Sequence, residues 1–313
     1  MIIRQADKDF FSEHGFIHVG PVLTKEKLRA VQAETDAIVQ AASGVEEHNQ
    51  VYDLEASHTP ETPRVRRIKT PHLFFPVFED LVRDPDITDP VAALIGENIR
   101  LYGGKINIKA AGYGAPVEWH QDWAFYPHTN DDVLTVCLLL DDMDADNGAL
   151  CVMPGSHKGP IFDHHNNGAF CGALDLDASG LEFEQAMPMS GKAGDMLIFH
   201  SRAVHGSPAN RSNRQRRLSI WEMTAADAWP LAGLRDGYDE FQRWVIRGQG
   251  SLVPRLQDVP VRMPYPTAVH AGSIYENQRA MGRQYFEHLN TAAGDETILD
   301  IDVVRCDHDG APA

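Results

Sequence analysis

Residues 99–223 contain a series of short segments that predict β-strands, and no other feature constrains the fold of this chain as strongly. In one of these segments Lys105, Asn107 and Lys109 alternate with apolar residues, as expected of a strand with one polar and one apolar face. Roughly six to eight such segments follow one another, separated by turns and without long helices between them. This pattern favours a mainly β fold with flanking helices, built on a double-stranded β-helix (jelly roll) core. The polar face of each strand would line either solvent or the barrel interior.

Turn residues predict how some of these strands connect. Residues 133–140 form a nearly unbroken apolar run, and Asp146-Asn147-Gly148 is typical of a tight turn. We therefore expect residues 149–153 to return as the hairpin partner of that run. Residues 163–184 are a long insertion rich in Asn, Asp and Gly, which could lie over a site as a lid.

The regions on either side of the predicted barrel have a different character. Thr24 begins an amphipathic helix that we expect to run to about Ala42, and a basic run lies between Arg64 and Lys69. Residues 224–313 are rich in proline and predict an extended wrap. No linker or repeat divides the chain, so we expect one domain over residues 1–313. Residues 1–98 would form its helical and basic part, residues 99–223 the barrel with the 163–184 insertion, and residues 224–313 the wrap.

Charge and composition exclude several classes of partner. The 28 Lys and Arg residues face 45 Asp and Glu, and the formal charge of −17 opposes binding to nucleic acid or to an anionic membrane. No apolar run approaches the 18 or so residues of a membrane span, and the first residues lack a signal-peptide core, so we expect a cytoplasmic protein. The four cysteines form no C-x-x-C motif and predict reduced thiols. Nothing in the pattern favours one oligomeric state.

The stretch Trp119-His120-Gln121-Asp122-Trp123 is a candidate metal motif. In an extended segment His120 and Asp122 point the same way, so an imidazole and a carboxylate converge. Two histidines and one carboxylate on one face characterise non-haem Fe(II) oxygenases, provided that a distant histidine completes the set. With 15 histidines in the chain, however, such a pair also arises by chance on a surface.

A late strand offers two candidates for the third ligand, His200 and His205. We favour His205 because Gly206 lets the backbone approach closely and Ser207 projects to the same side with a hydroxyl that can bond a carboxylate.

An arginine stands eleven positions after each candidate histidine, Arg216 after His205 and Arg211 after His200. An arginine fork facing the barrel interior suits a dicarboxylate cosubstrate. Spacing alone therefore leaves both pairs open.

Three motifs in this order resemble the phytanoyl-CoA dioxygenase family of Fe(II)/2-oxoglutarate-dependent oxygenases. They are W-H-Q-D-W at residues 119–123, D-N-G-A-L-C-V-M-P-G-S-H-K at 146–158 and H-G-S-P-A-N-R-S-N-R-Q-R-R at 205–217. The resemblance implies that the iron ligands are His120, Asp122 and His205, that the clamp for 2-oxoglutarate is Arg216 with Ser207, and that Lys69 and Thr135 face the cosubstrate. His200 would then be a strand-end residue. Cys137 stands where the family often has Trp, which implies a wider pocket.

The same resemblance implies an enzyme that uses Fe(II), 2-oxoglutarate and O2, and releases succinate and CO2. It would hydroxylate, desaturate or cyclise at an unactivated C–H bond of a small molecule. Asp122 fills the coordination position that a halide would need, so halogenation is not expected. Two alternatives remain at this point: a non-catalytic jelly-roll protein that binds a ligand or metal, and a barrel dioxygenase without 2-oxoglutarate, in which Arg216 would have no role.

Aromatic residues near the motif predict a lidded pocket, although each could equally be core. The candidates for substrate contact are Trp123, Phe125, Tyr126 and Trp221, with Lys105, Asn107 and Arg66 for polar groups. A CoA thioester would need a surface cluster of cations, which so acidic a chain does not offer. We therefore expect a small free metabolite whose anionic group meets Lys105 or Arg66.

Overall fold

A computed structural model of the chain describes residues 3–112, 114–267, 274–279, 281 and 284–286. The helices are α1 (Gln5–His14), α2 (Lys25–Ala41), α3 (Pro71–Phe74), α4 (Pro76–Arg83), α5 (Pro85–Ile95), α6 (Leu176–Ser179), α7 (Tyr238–Arg243) and α8 (Ile274–Arg279). The strands are β1 (Phe16–Pro21), β2 (Tyr52–Leu54), β3 (Val65–Lys69), β4 (Ile99–Lys109), β5 (Val117–His120), β6 (Val133–Leu139), β7 (Cys151–Val152), β8 (His165–Asn166), β9 (Ala169–Phe170), β10 (Met187–Pro188), β11 (Asp195–His200), β12 (His205–Ser207), β13 (Arg216–Ala225) and β14 (Val245–Arg247).

Two antiparallel sheets form the barrel. The major sheet has the order β1-β11-β6-β13-β4-β3-β2, with β14 paired to β4, and the minor sheet has the order β10-β7-β12-β5. Apart from β2, β3 and β4, which follow one another in both sequence and sheet, neighbouring strands are distant in sequence, as expected when strands pair across a jelly roll. The jelly-roll fold predicted from the strand pattern is confirmed.

The alternation along β4 explains how the major sheet is packed. Ile106 and Ile108 lie in a large apolar cluster that also takes residues of α2, α4 and α5. Burying each such side chain contributes roughly 1.5–3 kcal/mol to stability. The alternate residues Lys105, Asn107 and Lys109 face the opposite way and line a cavity between the sheets. The polar face of β4 is therefore the interior of the barrel, not solvent.

Local signals place the long N-terminal helix as predicted. The hydroxyl of Thr24 accepts a hydrogen bond from the backbone N–H of Lys27 at 3.2 Å and caps α2. Val31, Thr35 and Ile38 are the buried stripe of that helix. Among the described helices, none combines the length and apolar character that crossing a membrane requires.

The predicted hairpin between residues 133–140 and 149–153 is wrong. β6 is flanked on both sides, by β11 and by β13, so no edge of β6 remains free for a further strand. Residues 145–148 form a single helical turn that ends at Gly148 with a φ of 79°, and the chain crosses there to the minor sheet. β7 then pairs with β12 and β10.

Three of the four cysteines lie in the described part of the chain. Cys137, Cys151 and Cys171 are buried and form no disulfide. Cys306 lies outside the described residues.

Candidate active site

Two histidines meet across the minor sheet. His205 on β12 is directly opposite His120 on β5, and the ring centroids are 4.1 Å apart. Asp122 follows β5 in a single 3-10 turn rather than on the strand itself. Its Oδ1 lies 3.6 Å from Nε2 of His120 and 3.7 Å from Nε2 of His205. All three side chains are buried, and their ligand atoms converge on one point.

Backbone carbonyls orient both imidazoles. Nδ1 of His120 donates to the carbonyl of Glu118 at 2.7 Å, and Nδ1 of His205 donates to the carbonyl of Ala203 at 2.9 Å. Each ring therefore presents the lone pair of Nε2 to the cluster. Burial, followed by the neighbouring His120, lowers the pKa of His205 to about 3, so this ring is neutral. Two imidazole nitrogens and a carboxylate are a donor set that fits Fe(II).

Thr135 on β6 orients the carboxylate of the third candidate ligand, Asp122. Its hydroxyl donates to Oδ2 of Asp122 at 2.5 Å, while Oδ1 of the same carboxylate faces the two imidazoles. One oxygen of Asp122 is thereby committed to the protein and the other is directed at the metal position. Thr135 also lines the cavity.

The alternative histidine lies elsewhere. Nδ1 of His200, the last residue of β11, accepts the backbone N–H of Arg202 at 3.1 Å. Nε2 of His200 is 3.8 Å from a carboxylate oxygen of Asp131. His200 is thus outside the cluster that contains His205.

A pair of buried cations closes one end of the cavity. Arg216 on β13 is directly opposite Lys109 on β4. The guanidinium of Arg216 donates to the carbonyl of Gly148 at 2.7 Å and to the hydroxyl of Ser207 at 3.1 Å, and its Nε has no acceptor in the described part of the chain. Lys109 donates to the backbone carbonyls of Ser207, at 3.0 Å, and of Pro208.

These two cations make this end of the cavity electrostatically suited to an anion. Burial lowers the pKa of Arg216 to about 10, and burial together with Arg216 lowers the pKa of Lys109 well below its usual range. Within the described residues no carboxylate forms an ion pair with either side chain. Because a buried charge without a counter-ion is costly, this end is suited to bind a carboxylate.

The cavity between the sheets has a volume of about 670 Å³. Ten of the residues predicted for the site line it: Lys105, Asn107, His120, Asp122, Phe125, Tyr126, Thr135, His205, Ser207 and Arg216.

The C-terminal helix α8 forms part of the wall. Ile274 and Asn277 line the cavity. Gln278 fastens the helix, because its side-chain oxygen accepts the backbone N–H of Glu118 at 3.0 Å and its amide donates to the carbonyl of Gly172 at 2.8 Å. Residues far beyond the barrel strands therefore complete the enclosure.

The insertion at residues 163–184 is fastened to the metal motif. The backbone N–H of Gln121 donates to Nε2 of His164 at 2.9 Å. Phe170 on β9 lines the cavity and packs edge-on against Phe125 at 4.9 Å. The insertion thus contributes one side of the pocket.

Two tryptophans predicted for the pocket do not line it. The indole of Trp123 is fully buried and donates to the carbonyl of Pro260 at 2.9 Å, because the turn after Gln121 directs it away from the ligands. Trp221 lies in the core beneath the helices, where it contacts His72 and Phe78. It is an odd number of residues from Arg216 along β13 and so faces the opposite side of the sheet.

Lys69 also lies outside the cavity wall, and Arg67 is the β3 cation that reaches it. Lys69 is the last residue of β3, where the chain turns away through Thr70, with a φ of 42°, into α3. Its expected contact with the cosubstrate is not supported by this position.

Arg66 is buried, and it forms ion pairs with Asp53 and Glu276 instead of lining the cavity. Its guanidinium also lies 4.7 Å from the ring centroid of Tyr275 on α8. Arg66 therefore joins the C-terminal helix to the edge of the major sheet.

Sequence reasoning missed several cavity residues. Lys109 and Glu222 could have been found from strand parity, since Lys109 shares a face with Lys105 and Glu222 shares one with Arg216. Arg235 lies in a loop after β13 and carries no pattern that would have indicated its position.

Comparison with known proteins agrees with this geometry. The family model described as Phytanoyl-CoA dioxygenase (PhyH) matches residues 11–218. A probable alpha-ketoglutarate-dependent hypophosphite dioxygenase of Stutzerimonas stutzeri is 37% identical over 280 residues, which are 88% of this chain and 97% of that protein. Ectoine dioxygenase of Bordetella bronchiseptica is 25% identical over 272 residues, 82% of this chain and 81% of that protein.

A solved structure shares the fold. The crystal structure of EctD from S. alaskensis with bound Fe has a TM-score of 0.62 at 20% sequence identity, covering 82% of this chain and 88% of that one. Alpha-ketoglutarate, in the name of the first relative, is 2-oxoglutarate. The chain therefore belongs to the phytanoyl-CoA dioxygenase family and is an Fe(II)- and 2-oxoglutarate-dependent dioxygenase.

Proposed function

We propose that His120, Asp122 and His205 hold the iron of this dioxygenase and that Arg216 binds the distal carboxylate of 2-oxoglutarate. The observation that carries this assignment is the convergence of three buried ligand atoms in the same cavity as a buried arginine whose Nε has no acceptor among the described residues. Ser207 and Lys109 lie beside Arg216 and complete the anion site.

When bound, iron and 2-oxoglutarate supply the oxidising power that attacks an unreactive bond, with release of succinate and CO2. The residues of the chain provide position and electrostatics. The carbonyls of Glu118 and Ala203 orient the imidazoles, and Thr135 leaves one oxygen of Asp122 for the metal. Arg216 fixes the cosubstrate by a charged, two-pronged contact. The buried setting excludes water from the reacting bond.

The substrate is a small free metabolite rather than a CoA thioester. Two relatives act, by their names, on hypophosphite and on ectoine, which are both small molecules. A cavity of about 670 Å³ has the size usual for small-molecule sites, and the chain carries a formal charge of −17, which disfavours a polyphosphate handle.

We also infer a cytoplasmic setting and a single domain over residues 1–313. Three reduced, buried thiols are consistent with a reducing compartment.

Turnover measurements test the proposal. Purified protein with a panel of small metabolites should release succinate from 2-oxoglutarate only with Fe(II) and O2. Arg216→Ala should need far more 2-oxoglutarate for the same turnover rate. In a barrel dioxygenase that does not use this cosubstrate, neither the substitution nor the addition of 2-oxoglutarate would change the rate. Full turnover in His205→Ala, or without added Fe(II) in metal-free protein, would refute the assignment.

A further inference from the structure

The cavity has two chemically different halves. Their assignment rests on the proposed positions of iron and 2-oxoglutarate. Arg216 and Glu222 both face the cavity from β13 and are six residues apart, which corresponds to about 20 Å along a strand. A five-carbon diacid held by Arg216 and by the metal position is too short to reach Glu222. The half that contains Glu222 is therefore left for the substrate.

Glu222 is a buried carboxylate within this substrate half. Its Oε1 is 3.0 Å from Nζ of Lys105, and the side chain is only 9% exposed. Its Oε2 lies against Gly103, where an added Cβ would come within 2.5 Å of that oxygen. The glycine thus makes room for the carboxylate, and within the described residues Oε2 has no ion-pair partner of its own.

Arg235 supplies a positive charge at the rim of the same half. It is exposed in the loop after β13 and lines the cavity. Its guanidinium lies 4.4 Å from the ring centroid of Tyr102, which holds it over the opening. Among the described residues no carboxylate forms an ion pair with Arg235.

A plain anion could pair with the cations of this half, but it would bring no positive group to the carboxylate of Glu222. Lys105 would attract it, but the adjacent Glu222 would repel it, and in a buried site neither effect is screened by solvent. A molecule that carries both a positive and a negative group can pair with Glu222 and with a cation of this half at the same time. The walls between them are aromatic, from Tyr102, Phe125 and Tyr126, and suit a compact apolar body.

We propose that the substrate is a small zwitterion, whose protonated amine is bound by Glu222 and whose anionic group is bound by Arg235. Lys105 then acts as a specificity residue, because it shares Glu222 with the incoming amine. Lys105 also interacts electrostatically with the neighbouring proposed iron ligand Asp122.

Binding without turnover tests this inference. Protein loaded with Ni(II) and 2-oxoglutarate would be screened by ligand-observed NMR against small amino carboxylates and amino phosphonates. Each compound would be paired with its N-acetyl derivative and with the amine that lacks the acid. Zwitterions should bind, and each single-charge partner should bind at least about tenfold more weakly, as expected for loss of one charged hydrogen bond.

Variants locate the two charges. Glu222→Gln should weaken zwitterion binding at least about tenfold but leave the weak binding of the N-acetyl derivatives unchanged, and Glu184→Gln on the exposed surface is the matched control. Arg235→Gln, at an exposed position that does not endanger folding, should weaken the binding of zwitterions and of N-acetyl derivatives alike. Hits confined to simple anions, an absence of zwitterion hits, or unchanged preference in both variants would overturn the inference.

The two proposals fail separately. Formation of the Fe(II) complex of 2-oxoglutarate in the wild-type protein reports on the metal and cosubstrate assignment alone. If that complex forms and zwitterions do not bind, only the substrate inference is wrong.

Discussion

Lys109 and Arg216 lie directly opposite each other in the major sheet. Both are buried cations, and in the described part of the chain their hydrogen-bond acceptors are neutral oxygens. Burial lowers the pKa of both side chains, and repulsion by Arg216 lowers the pKa of Lys109 further. An incoming dicarboxylate relieves that repulsion. The affinity for 2-oxoglutarate should therefore depend on both residues.

Arg216→Ala should raise the apparent KM for 2-oxoglutarate strongly, because loss of a buried charged pair costs about 2–5 kcal/mol. Iron binding should persist. Arg217→Ala is the matched control, since Arg217 faces the other side of β13 and pairs with Asp141 and Asp36. Equal changes in KM from the two variants would show that strand parity does not define the anion site.

Lys109→Met should weaken the stabilisation that 2-oxoglutarate gives to the folded protein. A ligand present at 100 times its Kd stabilises a fold by about 2.7 kcal/mol, and this gain shrinks as Kd rises. We expect a clear rise of the wild-type Tm on adding 2-oxoglutarate with a non-reactive metal, and a smaller rise in the variant. An undiminished rise would exclude Lys109 from the site.

Anaerobic Fe(II) with 2-oxoglutarate should give a weak visible charge-transfer band that disappears in His120→Ala, Asp122→Ala and His205→Ala. His200→Ala should retain the band, because its ring is outside the cluster and accepts from Arg202. A band that survives in His205→Ala and is lost in His200→Ala would reverse the ligand assignment.

Thr135→Val should lower the affinity for Fe(II) roughly tenfold or more, which is the usual effect of removing a hydrogen bond to a metal ligand. The variant preserves shape but leaves Oδ2 of Asp122 without its donor. Thr135→Ser restores the hydroxyl and should recover most of the affinity. Titration of the charge-transfer band measures both variants, and equal affinities for Val and Ser would argue against this role.

Stability should fall in acid partly through His72. Burial, followed by Arg243, lowers the pKa of His72 from 6.5 to about 4, and its ring packs against Trp221 and Trp244. The unfolded chain therefore binds a proton first as pH falls. The stabilisation, about 3 kcal/mol, is complete above pH 6.5 and is lost as pH drops towards 4.

The control for this effect is His72→Phe, which keeps an aromatic ring but cannot be protonated. Its Tm should decline less between pH 7 and pH 4.5 than that of the wild type. Parallel declines would assign the acid sensitivity to other buried groups.

Strand periodicity and the family motifs together predicted much of the candidate site, although Asp122 reaches the cluster from a 3-10 turn and not from a strand. Ligands two residues apart, a partner histidine and an arginine at the start of the next strand follow from local spacing and from the family motifs. Parity also carried more information than was drawn from it. Side chains alternate between the two faces of β13, so the same alternation that separates Arg216 from Arg217 directs Trp221 to the core and Glu222 to the cavity.

Other features depend on the tertiary arrangement and carry no local signal. Whether the polar face of β4 met solvent or the interior depended on the minor sheet, whose strands are as short as two residues. The crossing of the chain at Gly148 placed β7 in the other sheet although its sequence suits a hairpin. Arg235 reaches the cavity only through the path of an irregular loop.

The region that matches the family model ends at residue 218, but residues beyond 218 also line the cavity. The proposed iron ligands and Arg216 lie before that boundary, whereas Glu222, Arg235, Ile274 and Asn277 lie beyond it. Mutations can therefore accumulate in the later segment and change what the enzyme oxidises without disturbing how it activates oxygen. In chimeras joined near residue 218, the C-terminal parent should supply the charges of Glu222 and Arg235, whereas Lys105 comes from the N-terminal parent.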